Sequence, residues 1–136
     1  MGQQQLLLIV LGVIIVGVAV VVGINLFNAN AETSTQDSIV SQGTNLGAMA
    51  QQYYKKPTSM GGGGNSFAPA GSNVVTFQAF WDNLPDNLTS SSDATWTQSL
   101  GSGDSTVILT AQPKDGNYTW SVVTTISPTD IISRIQ

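Results

Sequence analysis

The stretch "DNLPDN" gathers Asp82, Asn83, Asp86 and Asn87, and oxygen donors so crowded are the raw material of a calcium site. Their spacing fits no calcium-binding loop, and an exposed turn rich in Asx side chains is the simpler reading. No metal is expected there. The chain contains no histidine and no cysteine, which removes the commonest general base, the commonest zinc ligand, thiolate chemistry and disulfides together. Serines are many, but without histidine they form no conventional nucleophilic triad. "GGGGNS" lacks the Lys-Ser/Thr ending of a phosphate loop and reads as a flexible linker. Tyr53, Tyr54 and the tryptophans suit a core seam better than a ligand platform, because large aromatics dominate small cores. The expectation is a protein that is not an enzyme and holds no cofactor.

Eight acidic against four basic residues give a formal net charge of −4, the wrong sign for nucleic acid. Asn87-Leu88-Thr89 and Asn117-Tyr118-Thr119 are glycosylation triplets, so Asn87 and Asn117 are candidate glycan acceptors if the host glycosylates.

The elements that carry these residues begin with a segment of another kind. Residues 6–27 are apolar except for Asn25, and the first charged residue of the chain is Glu32. As a helix the run is about 33 Å long, the thickness of a bilayer's hydrocarbon layer. Gly12, Gly17 and Gly23 interrupt it; in a packed bundle such glycines let neighbouring helices approach closely. Three readings compete for the segment: a membrane anchor, a helix buried among copies of itself, and a secretion signal cut after Ala31 in the A-x-A pattern of Ala29, Asn30 and Ala31.

From Ala29 to Lys56 there is no proline, and Ile39, Gly43, Leu46, Ala50 and Tyr53 recur at helical spacing, widened by Val40, Gly47 and Tyr54. Gly43 and Gly47 form a small-xxx-small pair on that stripe. Lys55 and Lys56 favour the C-terminal end of the helix dipole, and Pro57 ends the helix. One helix is therefore expected from about Gln3 to Lys56, apolar all round in its first half and on one stripe in its second.

Past the glycines the period shortens to two. Val75, Phe77, Ala79 and Trp81 in "VVTFQAFW" predict a strand. So do Ala94, Trp96 and Leu100 in "ATWTQSL", and the run "TVILTAQ". In "YTWSVVTTI", Tyr118, Trp120, Val122 and Ile126 share a side, and Asp115-Gly116 predicts a tight hairpin after Pro113. The tail "SPTDIISRIQ" reads as a short helix capped by Ser127 with Pro128 at its first position, or as a last strand. The fold class is α+β: a long N-terminal helix followed by a small antiparallel sheet packed on its rear half. The divisions are 1–31 apolar helix, 32–56 amphipathic helix, 57–73 glycine-rich linker and 74–136 β head.

In this architecture the chain resembles a type IV pilin. The resemblance rests on Met1-Gly2 as a short leader, "QQQLLLIVLGVIIVGVAVVVGINLF" as the apolar front half and "QDSIVSQGTNLGAMAQQYYKK" as the rear half. It implies a structural subunit that sits in the cytoplasmic membrane and then joins copies of itself in an extracellular filament, helices bundled inside and β heads outside. Leu6, Leu7, Ile9, Val10, Val13, Ile14, Val16, Val20, Ile24, Leu26 and Phe27 would carry assembly, with Gly12, Gly17, Gly23, Gly43 and Gly47 at close contacts. It also implies processing between Gly2 and Gln3. That cut places Leu7 at the fifth position, where the family carries a glutamate. A single-pass anchored domain and a secreted, signal-cleaved binding domain are the rivals.

Overall fold

The computed structural model describes residues 2–72 and 74–136; Met1 of the leader and Asn73 in the linker lie outside them. The first element, α1, is one helix over Gln3–Lys55. It belongs to two compact units, the first ending at Thr35 and the second running Gln36–Gln136.

In the first unit residues 2–30 are all exposed, and from Gln3 onward they belong to α1. Here Thr33 Oγ1 and Thr35 Oγ1 donate back to the carbonyls of Ala29 and Ala31, at 3.0 and 2.9 Å, so these hydroxyls stay within the helix.

The second unit contains the rear of α1, a 3-10 turn at Thr58–Met60, a four-stranded antiparallel sheet and two short α-helices. The strands are β1 (Ala94–Leu100), β2 (Val107–Pro113), β3 (Val122–Ile126) and β4 (Ile131–Ile135), joined in sequence order as a meander. Alternation follows the pleat: Val107, Leu109 and Ala111 on β2, and Val122, Thr124 and Ile126 on β3, are all fully buried. The stripe of α1 meets this face. Ile39, Gly43, Leu46, Gly47, Ala50 and Tyr53 are its buried residues. The expected α+β arrangement, a long helix with an antiparallel sheet on its rear half, is the observed one.

Gly43 and Gly47 set how near the helix comes. A Cβ on Gly43 would stand 2.6 Å from Thr124 Oγ1 and 2.7 Å from the Trp96 ring, and one on Gly47 would stand 2.9 Å from Ile131. Thr124, a polar residue with no exposed surface, shares a 2.9 Å hydrogen bond with Ser133 Oγ and so is satisfied beneath the helix.

Three sequence expectations are corrected, and one that was open is decided. The stretch 75–81 is not a strand: Phe77–Asp82 form helix α2, capped by Thr76, whose hydroxyl accepts from Ala79 N at 3.2 Å. Phe77 and Trp81 lie four apart, a spacing that suits period 2 and period 3.6 equally, and Phe80 supplies the third apolar position of a helical face. A second short helix, α3, follows at Asp86–Thr89.

The two-residue hairpin at Asp115-Gly116 is replaced by a longer connection, 114–121. Asp115 Oδ1 accepts from the backbone and side-chain nitrogens of Asn117, at 3.0 and 2.9 Å, forming an Asx turn. Strand β3 begins only at Val122, and Tyr118 and Trp120 stack on one another with centroids 5.3 Å apart instead of lying in the ladder.

The tail takes the strand alternative, not the capped helix. Ser127 Oγ accepts from Asp130 N at 3.0 Å, which closes a turn, and β4 then pairs with β3. Gln51 of α1 donates to the Ser127 carbonyl at 2.9 Å and ties that turn to the helix.

The glycine tract 61–64, read as a flexible linker, is built into the end of α1. A helix leaves its last carbonyls without partners. Gly63 N donates to Tyr53 O at 2.8 Å, Asn65 N to Tyr54 O at 2.7 Å and Gly64 N to Lys56 O at 2.9 Å, so the tract folds back and caps them. Phe67 then enters the core against Tyr54 and Phe77. Glycine is required at 63, where a Cβ would lie 1.9 Å from Ser66 O and 2.9 Å from the Tyr53 ring. Gly63→Ala is expected to lower the unfolding free energy by about 1–3 kcal/mol or more, as overpacking does. Urea melts of the Gln36–Gln136 unit check this, and an unchanged midpoint would show that the turn yields freely.

Candidate assembly surface

The surface begins with what the backbone of α1 achieves alone. Every interior N–H and C=O of a helix is bonded within the segment, the condition for backbone to enter a medium without water. Over 6–27 the side chains add no charge. The predicted assembly residues Leu6, Leu7, Ile9, Val10, Val13, Ile14, Val16, Val20, Ile24, Leu26 and Phe27 are all exposed, from 54% at Val20 to 72% at Phe27. Leu8, Leu11, Ile15, Val18, Val21 and Val22, which lie in the same stretch, are exposed too. The apolar surface therefore runs round the whole helix and has no preferred face. By length and composition it suffices to cross a membrane, as an anchor or a signal would.

Moving any one such side chain out of water is worth about 1.5–3 kcal/mol. An uncovered run of them is too large to leave in water and marks a surface that meets lipid or protein.

The glycines separate into two groups. Around Gly12, Gly17 and Gly23 nothing in the chain lies within 4 Å of a Cβ position, so they are open to an outside neighbour. Gly43 and Gly47 are closed against the chain's own sheet, as described above, and their close contact is internal.

The other candidate residues stay dispersed. Gly2 and Gln3 mark the start of α1, with Gln5 N donating to Gly2 O at 3.1 Å. Asn87 and Asn117 are both exposed, the first on α3 and the second in the 114–121 connection. Asp82 Oδ1 accepts from Gln78 at 2.8 Å and Asn83 Nδ2 donates to Ala79 O at 2.8 Å, so this pair finishes α2. Among the described residues no three metal-ligating side chains come together.

One polar seam was not foreseen. Ser38 donates to Asp93 Oδ2 at 2.9 Å, and Gln42 Nε2 reaches the same oxygen at 3.4 Å. Gln42 Oε1 in turn accepts from Ser91 at 2.9 Å. These bonds pin the loop before β1 to α1. The partners lie about fifty residues apart in sequence, and no local spacing announces them. At the far end of the stripe the Tyr53 hydroxyl donates to Val75 O, and burial pushes its phenol above the ordinary tyrosine range.

The geometry offers an uncovered apolar helix, a sheet-and-helix unit with its own closed core, and no assembled set of reactive groups among the described residues. Comparison of the chain with models of known families, with curated proteins and with solved structures found no match.

Proposed function

We propose that this chain is a pilin-like structural subunit, held by its apolar helix in the cytoplasmic membrane and then assembled with copies of itself into an extracellular filament. The observation that carries the reading is the helix surface over 6–27, exposed on every side and free of charge, joined in one α1 to a rear stripe already satisfied by its own sheet. A helix apolar all round needs a wholly apolar surround. A bilayer supplies one, and a bundle of identical helices supplies another. The proposed work is mechanical, and the reading gives the chain no catalytic step and no cofactor.

Electron microscopy of material sheared from cells expressing the chain tests this, with the N-terminus of the recovered protein determined by mass spectrometry. Filaments whose subunits begin at residue 1, 2 or 3 are expected. Membrane-bound protein with no filaments would favour a single-pass anchored domain, and a chain beginning at Glu32 would mean secretion after signal cleavage.

A further inference from the structure

Two cavities lie side by side along the rear of α1, and the helix residues that bound them follow a rule. The first, 130 Å³, is walled on the helix side by Gln42, Asn45, Leu46 and Met49. The second, 170 Å³, is walled by Met49, Gln52, Tyr53 and Lys56. Each set has the spacing i, i+3, i+4, i+7, and the second is the first displaced by seven residues. Four residues so spaced on one helix form the hole that accepts a knob from a facing helix in coiled-coil packing. The structure thus presents two consecutive holes, about 10 Å apart at the helical rise.

Opposite the helix, Leu88 of α3 closes the first between polar Asn87 and Ser91, and Phe80 and Leu84 close the second beside Gly61; Leu88, Phe80 and Leu84 are half-buried. An apolar cavity of about 150 Å³ takes a group the size of benzene. Each hole therefore admits one leucine, isoleucine, valine or phenylalanine side chain. The only charged side chain in either wall is Lys56, at the very end. The other polar groups are the carboxamides of Gln42, Asn45, Gln52 and Asn87 and the Ser91 hydroxyl, so apart from Lys56 the groove offers no charge to match a charged helix.

We infer that these holes receive the apolar front helix of a second copy of this chain. The occupant must be a helix with large apolar residues at intervals of seven and no charges that the groove would strip of water. The chain itself supplies one: Leu6, Val13, Val20 and Phe27 are seven apart, all apolar and all exposed. Leu7, Ile14 and Val21, and Leu8, Ile15 and Val22, form further exposed rows of the same spacing, so more than one side of the front helix can present such knobs. The contact joins residues 42–91 of one copy to residues 6–27 of another. Such a contact is heterologous, and when its rotation does not close into a ring it propagates as a helical polymer. The inference rests on the filament reading and names the partner surface that reading leaves open.

The test places a photoreactive benzophenone side chain in the full-length chain at Met49, where both holes meet, and in a second variant at Asn45, an exposed rim position that tolerates bulk. Filaments carrying either probe are irradiated, dimers are separated on a denaturing gel, and the joined peptides are read by mass spectrometry. The expected product is a dimer in which the probe of one chain is bonded within residues 3–30 of the other. Filaments whose dimers join only residues within 36–136, or whose probes attach to lipid or give no dimer, overturn the inference and leave the filament reading standing. Absence of filaments from the unsubstituted chain overturns both.

Discussion

A chain that begins at Pro57 is expected to show no cooperative melting transition, whereas one running Gln36–Gln136 melts as a single unit. The shorter chain keeps every strand but loses the cover over them. Ile39, Leu46 and Tyr53, which are 0%, 3% and 2% exposed, leave with the helix and are lost from the core they share with Leu109, Val122 and Ile126. Burial of three large side chains at about 1.5–3 kcal/mol each is a large share of the about 5–15 kcal/mol by which domains are stable. The polar seam goes as well, because Ser38 and Gln42 are the partners of Asp93 and Ser91. Circular dichroism against temperature is the measurement. Equal, cooperative melting of the two chains would show that the stripe contributes nothing to the head and must be covered by other subunits.

Val16→Asp should abolish filaments and leave the melting of the Gln36–Gln136 unit unchanged. Val16 stands near the middle of the apolar run, 62% exposed, with no charged residue anywhere in 6–27 to pair with it. At the centre of a membrane helix an aspartate costs about 2.5–3.5 kcal/mol on the insertion scale. In a bundle of identical helices the penalty recurs at every subunit, and like charges face one another. Electron micrographs of cells carrying the variant decide the matter. Normal fibres would show that the front helices are not packed in a dry core.

The stripe of α1 was legible because a helix on one partner surface needs only its own spacing to declare itself. Ile39, Gly43, Leu46, Ala50 and Tyr53 could be assigned to one face before any sheet was known, and they are the buried face. The strands β1 and β2 were legible for the same reason, alternating across a half-buried sheet, although in β1 the alternation fades before Leu100, which is 50% exposed. The stretch 75–81 was not. Its apolar residues satisfy two periods at once, and the choice between them fell to the Thr76 cap and to the aromatic cluster that Phe77 and Phe80 make with Tyr53.

By itself, then, the sequence determined which segments are apolar, which are periodic and which chemistries are absent: no histidine, no cysteine and no charge before Glu32. It determined the long helix and the existence of an antiparallel sheet, since both follow from interactions between near neighbours. Only the tertiary structure decided what the glycines do. Four in a row read as slack chain from composition. The N–H groups of Gly63, Gly64 and Asn65 instead cap the end of α1, because a helix end needs donors, and at 63 only a residue without a side chain fits the close approach. It alone also separated Gly43 and Gly47, pressed on the sheet, from Gly12, Gly17 and Gly23, which face open space. The two holes beside Met49 belong to the same class: a groove needs walls from 80–91 and from 42–56 together, and nothing local in either stretch foretells their meeting.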